Sequence, residues 1–244
     1  MRKHTYAQHF LRSPRVVAEL IGHTNIRKND LVYDLGAGSG IIASVLARRT
    51  KHVVAVEIEA EAYHKLEQNL GSVENVTLLK KDILQLSPPD EPYKIVANIP
   101  FNLSAKIVRQ FAFATHPPKV MYLIVQKQFA MKLVPSDRHF NSELGAELWP
   151  WYGVRIRKPL YKTDFTPPPA VDTVFVEIKQ LEEPLMSYDE QEPYRRFVEQ
   201  AFAEQKFYAG LPCGDVGISA ERKPSELSPE QWVKLYTAYT KKRR

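Results

Sequence analysis

The chain has 244 residues, of which 44% are hydrophobic, and this is enough to bury one sizeable core and a small second unit. Lysine and arginine exceed aspartate and glutamate by 34 to 28, so the formal net charge of +6 favours a polyanionic partner. The single cysteine excludes an intramolecular disulfide, and with neither a signal-peptide pattern nor an apolar run of about 18 residues, the sequence predicts a cytoplasmic protein without a membrane span.

The first predicted elements are a helix over residues 14–21 and a strand over residues 31–35. Three glycines follow the strand with the spacing Gly36-x-Gly38-x-Gly40, and an amphipathic helical pattern comes next. Glycine permits a positive φ and the close approach of a ligand to the backbone, so this strand, turn and helix predict a cofactor site. The spacing differs from the G-x-G-x-x-G of dinucleotide sites, which favours S-adenosylmethionine over a nicotinamide cofactor.

Acidic residues close the next two predicted strands. The apolar run over residues 53–56 ends at Glu57, about 20 residues after the glycines, where Rossmann-like folds place the acid that binds ribose hydroxyls. The run over residues 76–80 leads to Asp82, whose carboxylate can accept a hydrogen bond from an adenine amine. Because the carboxyl ends of successive parallel strands meet at one edge of a sheet, these acids and the glycines predict one joint cofactor site.

A fourth apolar run, over residues 93–97, ends in Asn98-Ile99-Pro100-Phe101. This segment offers an amide oxygen, a backbone carbonyl and an aromatic face within a small volume, which suits an exocyclic base amine such as adenine N6. Taken alone, the four residues fit equally well a turn followed by a core phenylalanine. The cofactor signal upstream is what favours the chemical interpretation.

The rest of the chain continues the alternation of strand and helix. Helical patterns cover residues 59–70 and 104–114, and apolar runs at 120–125 and 174–178 add strands. Alternation of this kind predicts an α/β fold with a mostly parallel sheet covered on both faces. Beyond a polar linker that begins at residue 182, two further helical patterns predict a small helical C-terminal domain, so we expect domains at 1–180 and 181–244.

Several segments, taken in order, resemble the rRNA adenine N6-methyltransferase family, which contains the Erm and KsgA enzymes. They are Gln8-His9-Phe10-Leu11, residues 34–40, Val56-Glu57-Ile58, residues 81–84, residues 98–104 and residues 165–172. The resemblance implies a Rossmann-like class I S-adenosylmethionine-dependent methyltransferase fold with a small helical C-terminal domain. It also implies methyl transfer from S-adenosylmethionine to N6 of an adenine extruded from its stack.

The resemblance assigns roles to residues of this sequence. The residues that it implies bind the cofactor are Gln8, His9, Leu11, Gly36, Gly38, Gly40, Glu57, Ile58, Asp82, Ile83 and Asn98. The catalytic set would be Asn98, Ile99, Pro100, Phe101 and Phe165, with Asn98 and the Ile99 carbonyl accepting hydrogen bonds from N6. Phe101 would stack on the adenine, and Phe165 would close its opposite face. His9 departs from the pattern, because the family usually has an asparagine that contacts the cofactor there.

Basic residues around this site are expected to hold RNA phosphates. The candidates are Arg12, Arg15, Lys106, Arg109, Lys127, Lys132 and Arg138. For any one of them, a merely solvated charge is the alternative. The seven histidines show no metal-ligand spacing, so the sequence predicts no metal, and we expect a monomer.

Within the family, the sequence favours the Erm branch. The segments Asn98-Ile99-Pro100-Phe101 and Leu148-Trp149-Pro150-Trp151-Tyr152 resemble Erm, whereas KsgA members more often have N-L-P-Y. An Erm-like enzyme methylates one adenine of 23S rRNA, which blocks macrolide, lincosamide and streptogramin B binding. Against this, the three prolines at 167–169 slightly favour KsgA, and residues 203–208 lack the basic helix segment expected there.

A DNA adenine methyltransferase would use a motif similar to residues 98–101, but it usually carries a substantial target-recognition domain, for which the C-terminal residues from 181 are too few. Two further alternatives remain. One is a KsgA-like 16S rRNA adenine dimethyltransferase that acts in small-subunit biogenesis. The other is a non-catalytic protein that binds S-adenosylmethionine and nucleic acid. The second would tolerate the loss of Asn98 or of the cofactor acids, yet this chain carries all of them.

Overall fold

The structure is a computed structural model that describes residues 9–136, 140–219 and 221–242. Its strands are β1 (Phe10–Leu11), β2 (Leu31–Leu35), β3 (His52–Glu57), β4 (Val76–Lys80), β5 (Tyr93–Asn98), β6 (Val120–Gln126), β7 (Tyr152–Leu160), β8 (Phe165–Thr166) and β9 (Thr173–Gln180). Its helices are α1 (Pro14–Gly22), α2 (Ile41–Ala47), α3 (Ala60–Leu70), α4 (Ser104–Ala112), α5 (Lys127–Leu133), α6 (Glu143–Leu148), α7 (Gln191–Ala203), α8 (Gln205–Ala209) and α9 (Pro229–Lys241). Short 3-10 turns add residues 83–85, 101–103, 162–164, 188–190, 214–216 and 224–226.

Among the described residues, seven strands form one sheet with the order β4-β3-β2-β5-β6-β9-β7. The strands from β4 to β6 in this order are parallel to one another. All five residues of β2 are buried. Because successive side chains of a strand point to opposite faces, the sheet is covered on both faces at β2, as the alternation predicted.

The chain divides into two compact units. The first contains residues 1–127 and 156–178, and the second contains residues 128–155 and 179–244. Residues 128–155 thus group with the C-terminal residues, an arrangement that the sequence did not predict. The domain limits near residue 180 stay a prediction.

In the first unit, helix and strand side chains share one hydrophobic core. It combines apolar residues of α1, α2 and α3 with residues of the central strands, and Val32, Leu46 and Val53 are fully buried within it. Helix α1 begins as the sequence predicted, since the Ser13 hydroxyl accepts a hydrogen bond from the Arg15 N–H at 3.2 Å. This core holds the parallel strands in place, and it therefore also determines where the loops at their carboxyl ends begin.

The second unit has a core rich in aromatic rings. Phe197 of α7 lies against Trp232, Tyr236 and Tyr239 of α9, with ring centroids 5.0–6.1 Å apart. Trp232 is fully buried, and Tyr194 donates a hydrogen bond to the Ala146 carbonyl at 3.1 Å. Large rings bury much apolar area per residue, so a few of them can stabilise this small unit. None of the helices in the described ranges combines the length and apolar character that a membrane crossing needs.

Candidate functional site

The strand order changes direction between β2 and β5. From β2 the chain continues to β3 and β4 on one side, and then returns to place β5 and β6 on the other. In open α/β sheets, ligands bind at such a switch point, outside the carboxyl ends of the strands. The glycine turn follows β2 and Asn98 ends β5, so the two segments singled out by the sequence lie at this position.

The glycine turn has a backbone that only glycine adopts easily. Gly36, Gly38 and Gly40 have φ angles of +73°, +58° and +92°. The N–H groups of Gly36 and Ala37 both donate to the Val56 carbonyl, at 2.8 and 2.9 Å, which ties the turn to β3. Left-handed backbone and a shared acceptor together hold the turn in one shape.

Gly36 lies close to residues from two other strand ends. A Cβ built on it would lie 3.6 Å from the Ile83 Cδ1, 3.8 Å from the Pro100 Cδ and 4.0 Å from the Asn98 carbonyl oxygen. Residues from the ends of β2, β4 and β5 therefore line one space, as their sequence spacing predicted. Asp82 begins the turn that carries Ile83, because one of its oxygens accepts the Leu84 N–H at 2.9 Å.

Glu57 has a buried carboxylate that organises the glycine turn. Its side chain is 2% exposed, and Oε2 accepts the Gly38 N–H at 2.9 Å. Oε1 accepts the N–H groups of Ile58 and Glu59, both at 2.9 Å. The sequence predicted a ribose ligand here and missed this structural role. In contrast to Glu57, the next residue, Ile58, is 57% exposed.

Asp34 is a second buried acid at this strand end. Its Oδ2 accepts the Ala43 N–H at 3.0 Å, and its Oδ1 has no hydrogen-bond partner among the residues that the structure describes. Burial raises the pKa of Asp34 to about 8, the charge of Glu57 adds to this, and the bond from Ala43 opposes it. Burial therefore favours the protonated form of Asp34.

The side-chain amide of Asn98 is oriented by the backbone of His9. Its Nδ2 donates a hydrogen bond to the His9 carbonyl at 2.6 Å. Because a carbonyl oxygen only accepts hydrogen bonds, the amide nitrogen of Asn98 must face His9. The amide oxygen of Asn98 then remains an acceptor for a ligand. The His9 Nδ1 lies 2.8 Å from the Pro167 carbonyl, and its ring stacks on Phe101 with centroids 5.8 Å apart.

Phe165 contradicts its predicted role. Its ring is 0% exposed and belongs to the hydrophobic core of the first unit. The reason is the short pairing of β1 with β8, in which Leu11 and Phe165 are partners and carry their side chains inward. Phe165 therefore has no ring face for an adenine, and the expectation that it closes the opposite face is wrong for this structure.

Two further predicted residues place their side chains in the core. Leu11 is 6% exposed and Ile99 is 1% exposed, so a ligand could meet them only through the backbone. In contrast, the neighbouring Phe10 is 39% exposed, and its ring covers Gly38, where an added Cβ would lie 2.9 Å from the Phe10 Cε1. The sequence missed Phe10, although an aromatic residue beside Leu11 in the resembling segment was a possible signal.

The predicted cations mostly lie on the surface. Lys106 and Arg109 are three residues apart on α4, and Arg109 is partly buried. Gln8 and Arg138 lie outside the described residues. The other candidates are exposed, and they are Arg12, Arg15 and Lys127 of the first unit and Lys132 of the second. A search of the described ranges finds no group of three or more His, Cys, Asp or Glu side chains placed to hold a metal ion.

Comparison with known proteins identifies a family. A family model described as ribosomal RNA adenine dimethylase matches residues 1–207. A protein of Staphylococcus aureus (strain Mu50 / ATCC 700699) named rRNA adenine N-6-methyltransferase is 30% identical over 241 residues, which cover 95% of each chain. A protein of the same name from Escherichia coli is 28% identical over 242 residues, which cover 96% of this chain and 95% of that relative.

Two solved structures have the same fold. The 23S rRNA methyltransferase ErmE superposes with a TM-score of 0.79 at 24% identity, over 94% of this chain and 98% of its own. A dimethyladenosine transferase from Plasmodium falciparum superposes with a TM-score of 0.78 at 19% identity, over 96% of this chain and 98% of its own. At these identities the likeness concerns the fold, which is the predicted Rossmann-like methyltransferase fold with a helical C-terminal region.

Proposed function

The chain belongs to the ribosomal RNA adenine dimethylase family and is an S-adenosylmethionine-dependent rRNA adenine N6-methyltransferase, and we propose that its substrate is one adenine of 23S rRNA. The observation that carries the proposed chemistry is the orientation of Asn98 at the switch point of the sheet. The choice of 23S rRNA is supported by the Erm-like segments at 98–101 and 148–152. The modification would confer macrolide, lincosamide and streptogramin B resistance.

The residues at the strand ends fit the methyl donor. Gly36 lies close to Ile83 and Pro100, so the glycine turn meets the segments that follow β4 and β5, and Asp82 can accept a hydrogen bond from an adenine amine. The exposed side chain of Ile58 offers an apolar surface nearby in the chain. S-adenosylmethionine supplies an electrophilic methyl group on a positively charged sulfur.

The catalytic segment would position the target base. Adenine N6 is a poor nucleophile because its lone pair is delocalised into the ring, and within a stacked helix it cannot reach a methyl donor, so the base must leave the stack. The Asn98 Oδ1 and the Ile99 carbonyl would accept hydrogen bonds from N6 and direct its lone pair to the methyl carbon. Phe101 would stack on the base, a contact of about 1–3 kcal/mol. The displaced N6 proton passes to solvent, so no strongly basic side chain is needed.

Most of the rate would come from alignment. Holding two reactants in line can contribute about 7–11 kcal/mol to the lowering of a barrier. The rigid glycine turn and the oriented Asn98 both support such a mechanism, because neither has to rearrange during transfer. The exposed cations of α1 and α4 would contact phosphates and place the RNA, without reading its sequence. We further propose that the enzyme is monomeric and works in the cytoplasm, where ribosomes are made.

A labelling experiment tests the choice of RNA. Protein-free 23S rRNA and small-subunit particles that contain 16S rRNA are each incubated with the enzyme and radiolabelled methyl donor, and Asn98→Ala serves as the inactive control. We expect label in 23S rRNA, and we expect expression in a susceptible bacterium to raise tolerance to erythromycin but not to kasugamycin. Label in 16S rRNA alone, with erythromycin tolerance unchanged, would identify the small-subunit alternative. Binding of the donor without transfer to either RNA would identify a non-catalytic protein.

A further inference from the structure

We propose that His9 is a positioning residue whose side chain fixes its own backbone carbonyl, which in turn orients the amide of Asn98. The inference rests on the proposed function, because it explains how Asn98 is prepared to receive N6. It differs from the role that the family resemblance implies for this position, which is contact with the cofactor. Three contacts of the described chain support it.

The first contact selects one of two orientations of the Asn98 amide. An amide side chain can turn by 180°, which exchanges its oxygen with its nitrogen. In this structure the nitrogen faces the His9 carbonyl at 2.6 Å. In the reversed orientation two acceptor oxygens would face each other at that distance. The carbonyl therefore holds the Asn98 oxygen as the acceptor, which is the group that N6 requires.

The second and third contacts hold His9 itself. Its Nδ1 lies 2.8 Å from the Pro167 carbonyl, and since a carbonyl cannot donate, the hydrogen is on Nδ1. Its ring stacks on Phe101 with an interplanar angle of 29°. The side chain thus joins the N-terminal segment to the proline-rich loop and to the catalytic segment.

The neighbouring strand pairing is too short to hold this backbone alone. Strand β1 begins one residue after His9 and contains two residues, which pair with the two residues of β8. Short isolated pairings are only marginally stable. The described anchors of this segment are the short ribbon, the buried Leu11, the Phe10 ring over Gly38 and the His9 side chain, and of these only the last belongs to the residue that carries the carbonyl. Removing the imidazole should loosen the carbonyl and let the Asn98 amide adopt both orientations.

The proposal predicts different effects of His9→Ala on kcat and on the Kd for S-adenosylmethionine. If His9 acts through Asn98, His9→Ala should lower kcat for methyl transfer by about 10- to 100-fold, the scale of a small misplacement in a catalytic site. The Kd for S-adenosylmethionine should stay within about twofold, because the cofactor contacts at 36–40 and 82–83 are retained. His9→Asn should recover much of kcat, because asparagine can still donate to the Pro167 carbonyl. The exposed His64→Ala on α3 is the matched control.

A double-mutant cycle shows whether the two residues act together. The His9→Ala substitution should cost far less in the Asn98→Ala background than in the wild type, because the group that His9 positions is already absent. A full additional loss in the double variant would overturn the proposal. A rise in the cofactor Kd with kcat unchanged would also overturn it, and would make His9 a cofactor ligand.

A readout without RNA separates this inference from the proposed function. In the ¹⁵N NMR spectrum, the side-chain NH₂ signals of Asn98 can be assigned by their loss in Asn98→Ala. They should shift in His9→Ala and return towards the wild-type position in His9→Asn. Unchanged signals in His9→Ala would refute the positioning role even if the enzyme methylates 23S rRNA. Shifted signals in an enzyme that labels neither RNA would refute the proposed function and leave the positioning contact established.

Discussion

Two strand-end residues of the site, Asn98 and Glu57, use their side chains in different ways. Asn98 has one amide group bound to the His9 carbonyl and an oxygen left for a ligand. Glu57 distributes its two oxygens over three backbone N–H groups and is nearly inaccessible. Substitution of Asn98 should therefore affect methyl transfer, whereas substitution of Glu57 should affect the backbone of the proposed cofactor site.

Asn98→Ala should reduce methyl transfer strongly and leave cofactor binding nearly intact. In the proposed mechanism the lost oxygen acts on N6, and removal of one polar group directed at reacting atoms typically costs about 10²- to 10³-fold in rate. Calorimetry should give a Kd for S-adenosylmethionine within about twofold of the wild type, while single-turnover labelling of rRNA measures the rate. Wild-type turnover in this variant would reject the role of Asn98.

Glu57→Ala should weaken both folding and cofactor binding. It leaves the N–H groups of Gly38, Ile58 and Glu59 without this acceptor, and a buried donor without a partner, as at Gly38, costs about 1–3 kcal/mol. Urea unfolding measures the loss of stability, and calorimetry measures the cofactor Kd. Glu57→Gln, which keeps one acceptor oxygen, should be intermediate in both. Loss of cofactor binding with unchanged stability would instead favour direct ribose contact as the main role of Glu57.

At the scale of elements, the joint between β2 and α2 combines a left-handed turn with a buried acid. Asp34, the penultimate residue of β2, accepts the N–H of Ala43 in α2, while Gly38 lies between them under the ring of Phe10. The joint therefore depends on a buried carboxyl group as well as on the absence of a side chain at Gly38.

Gly38→Ala should weaken S-adenosylmethionine binding. A φ of +58° is unfavourable for alanine by about 1–2 kcal/mol, and the new Cβ would lie 2.9 Å from the Phe10 ring. Calorimetry should show a Kd raised about tenfold, a change of about 1.4 kcal/mol. Gly214→Ala is the matched control, because nothing lies within 4 Å of its added Cβ. Equal affinities for the two variants would contradict the described turn.

The free energy of unfolding should depend on pH through the titration of Asp34. Its folded-state pKa of about 8 exceeds the ordinary value of about 4, so between these pH values the unfolded chain has released a proton that the folded chain keeps. The free energy of unfolding should therefore fall as pH rises from about 4 to about 8. Asp34→Asn keeps an oxygen for Ala43 and does not titrate, so its stability relative to the wild type should increase over this range and then level off. Parallel urea-unfolding profiles of the two proteins against pH would disprove the shift.

The regular elements of the sheet could be predicted from sequence, and the contacts that complete the site could not. Strands β2 and β4 have the predicted bounds, because apolar runs bounded by glycines or charges are a local signal. The two-residue strands β1 and β8 and the short helices α5 and α6 went unpredicted, because they are too short to show a period. The burial of Phe165 and the contact of His9 with Asn98 join residues far apart in the chain, and no local pattern encodes them.

At the scale of the whole molecule, we expect the excess of positive charge to contribute much of the RNA affinity. The formal net charge is +6, and the predicted contacts with phosphate include exposed residues of both compact units. Such contacts release counterions from the RNA when they form. Affinity should then depend on ionic strength far more than cofactor binding does.

Methylation of rRNA should decline steeply with added salt. The KM for RNA should rise by orders of magnitude between about 50 and 200 mM salt if six or more phosphates are contacted. The Kd for S-adenosylmethionine, measured in the same buffers, should change little. Lys106→Gln should reduce the slope of log affinity against log salt by about 1 if Lys106 contacts a phosphate. A salt-independent KM would contradict docking through the basic surface.

The burial of the aromatic side chains gives the protein an internal optical probe. The sequence has three tryptophans, Trp149, Trp151 and Trp232, and all three are buried in the second unit. The indole N–H groups of Trp149 and Trp151 donate to backbone carbonyls, at 2.8 and 3.1 Å. Intrinsic indole emission therefore reports on the second unit alone, and its red shift during denaturation marks the point at which that unit opens. A circular-dichroism transition that occurs at a different denaturant concentration would then belong to the first unit, so the two units can be followed separately in one unlabelled sample.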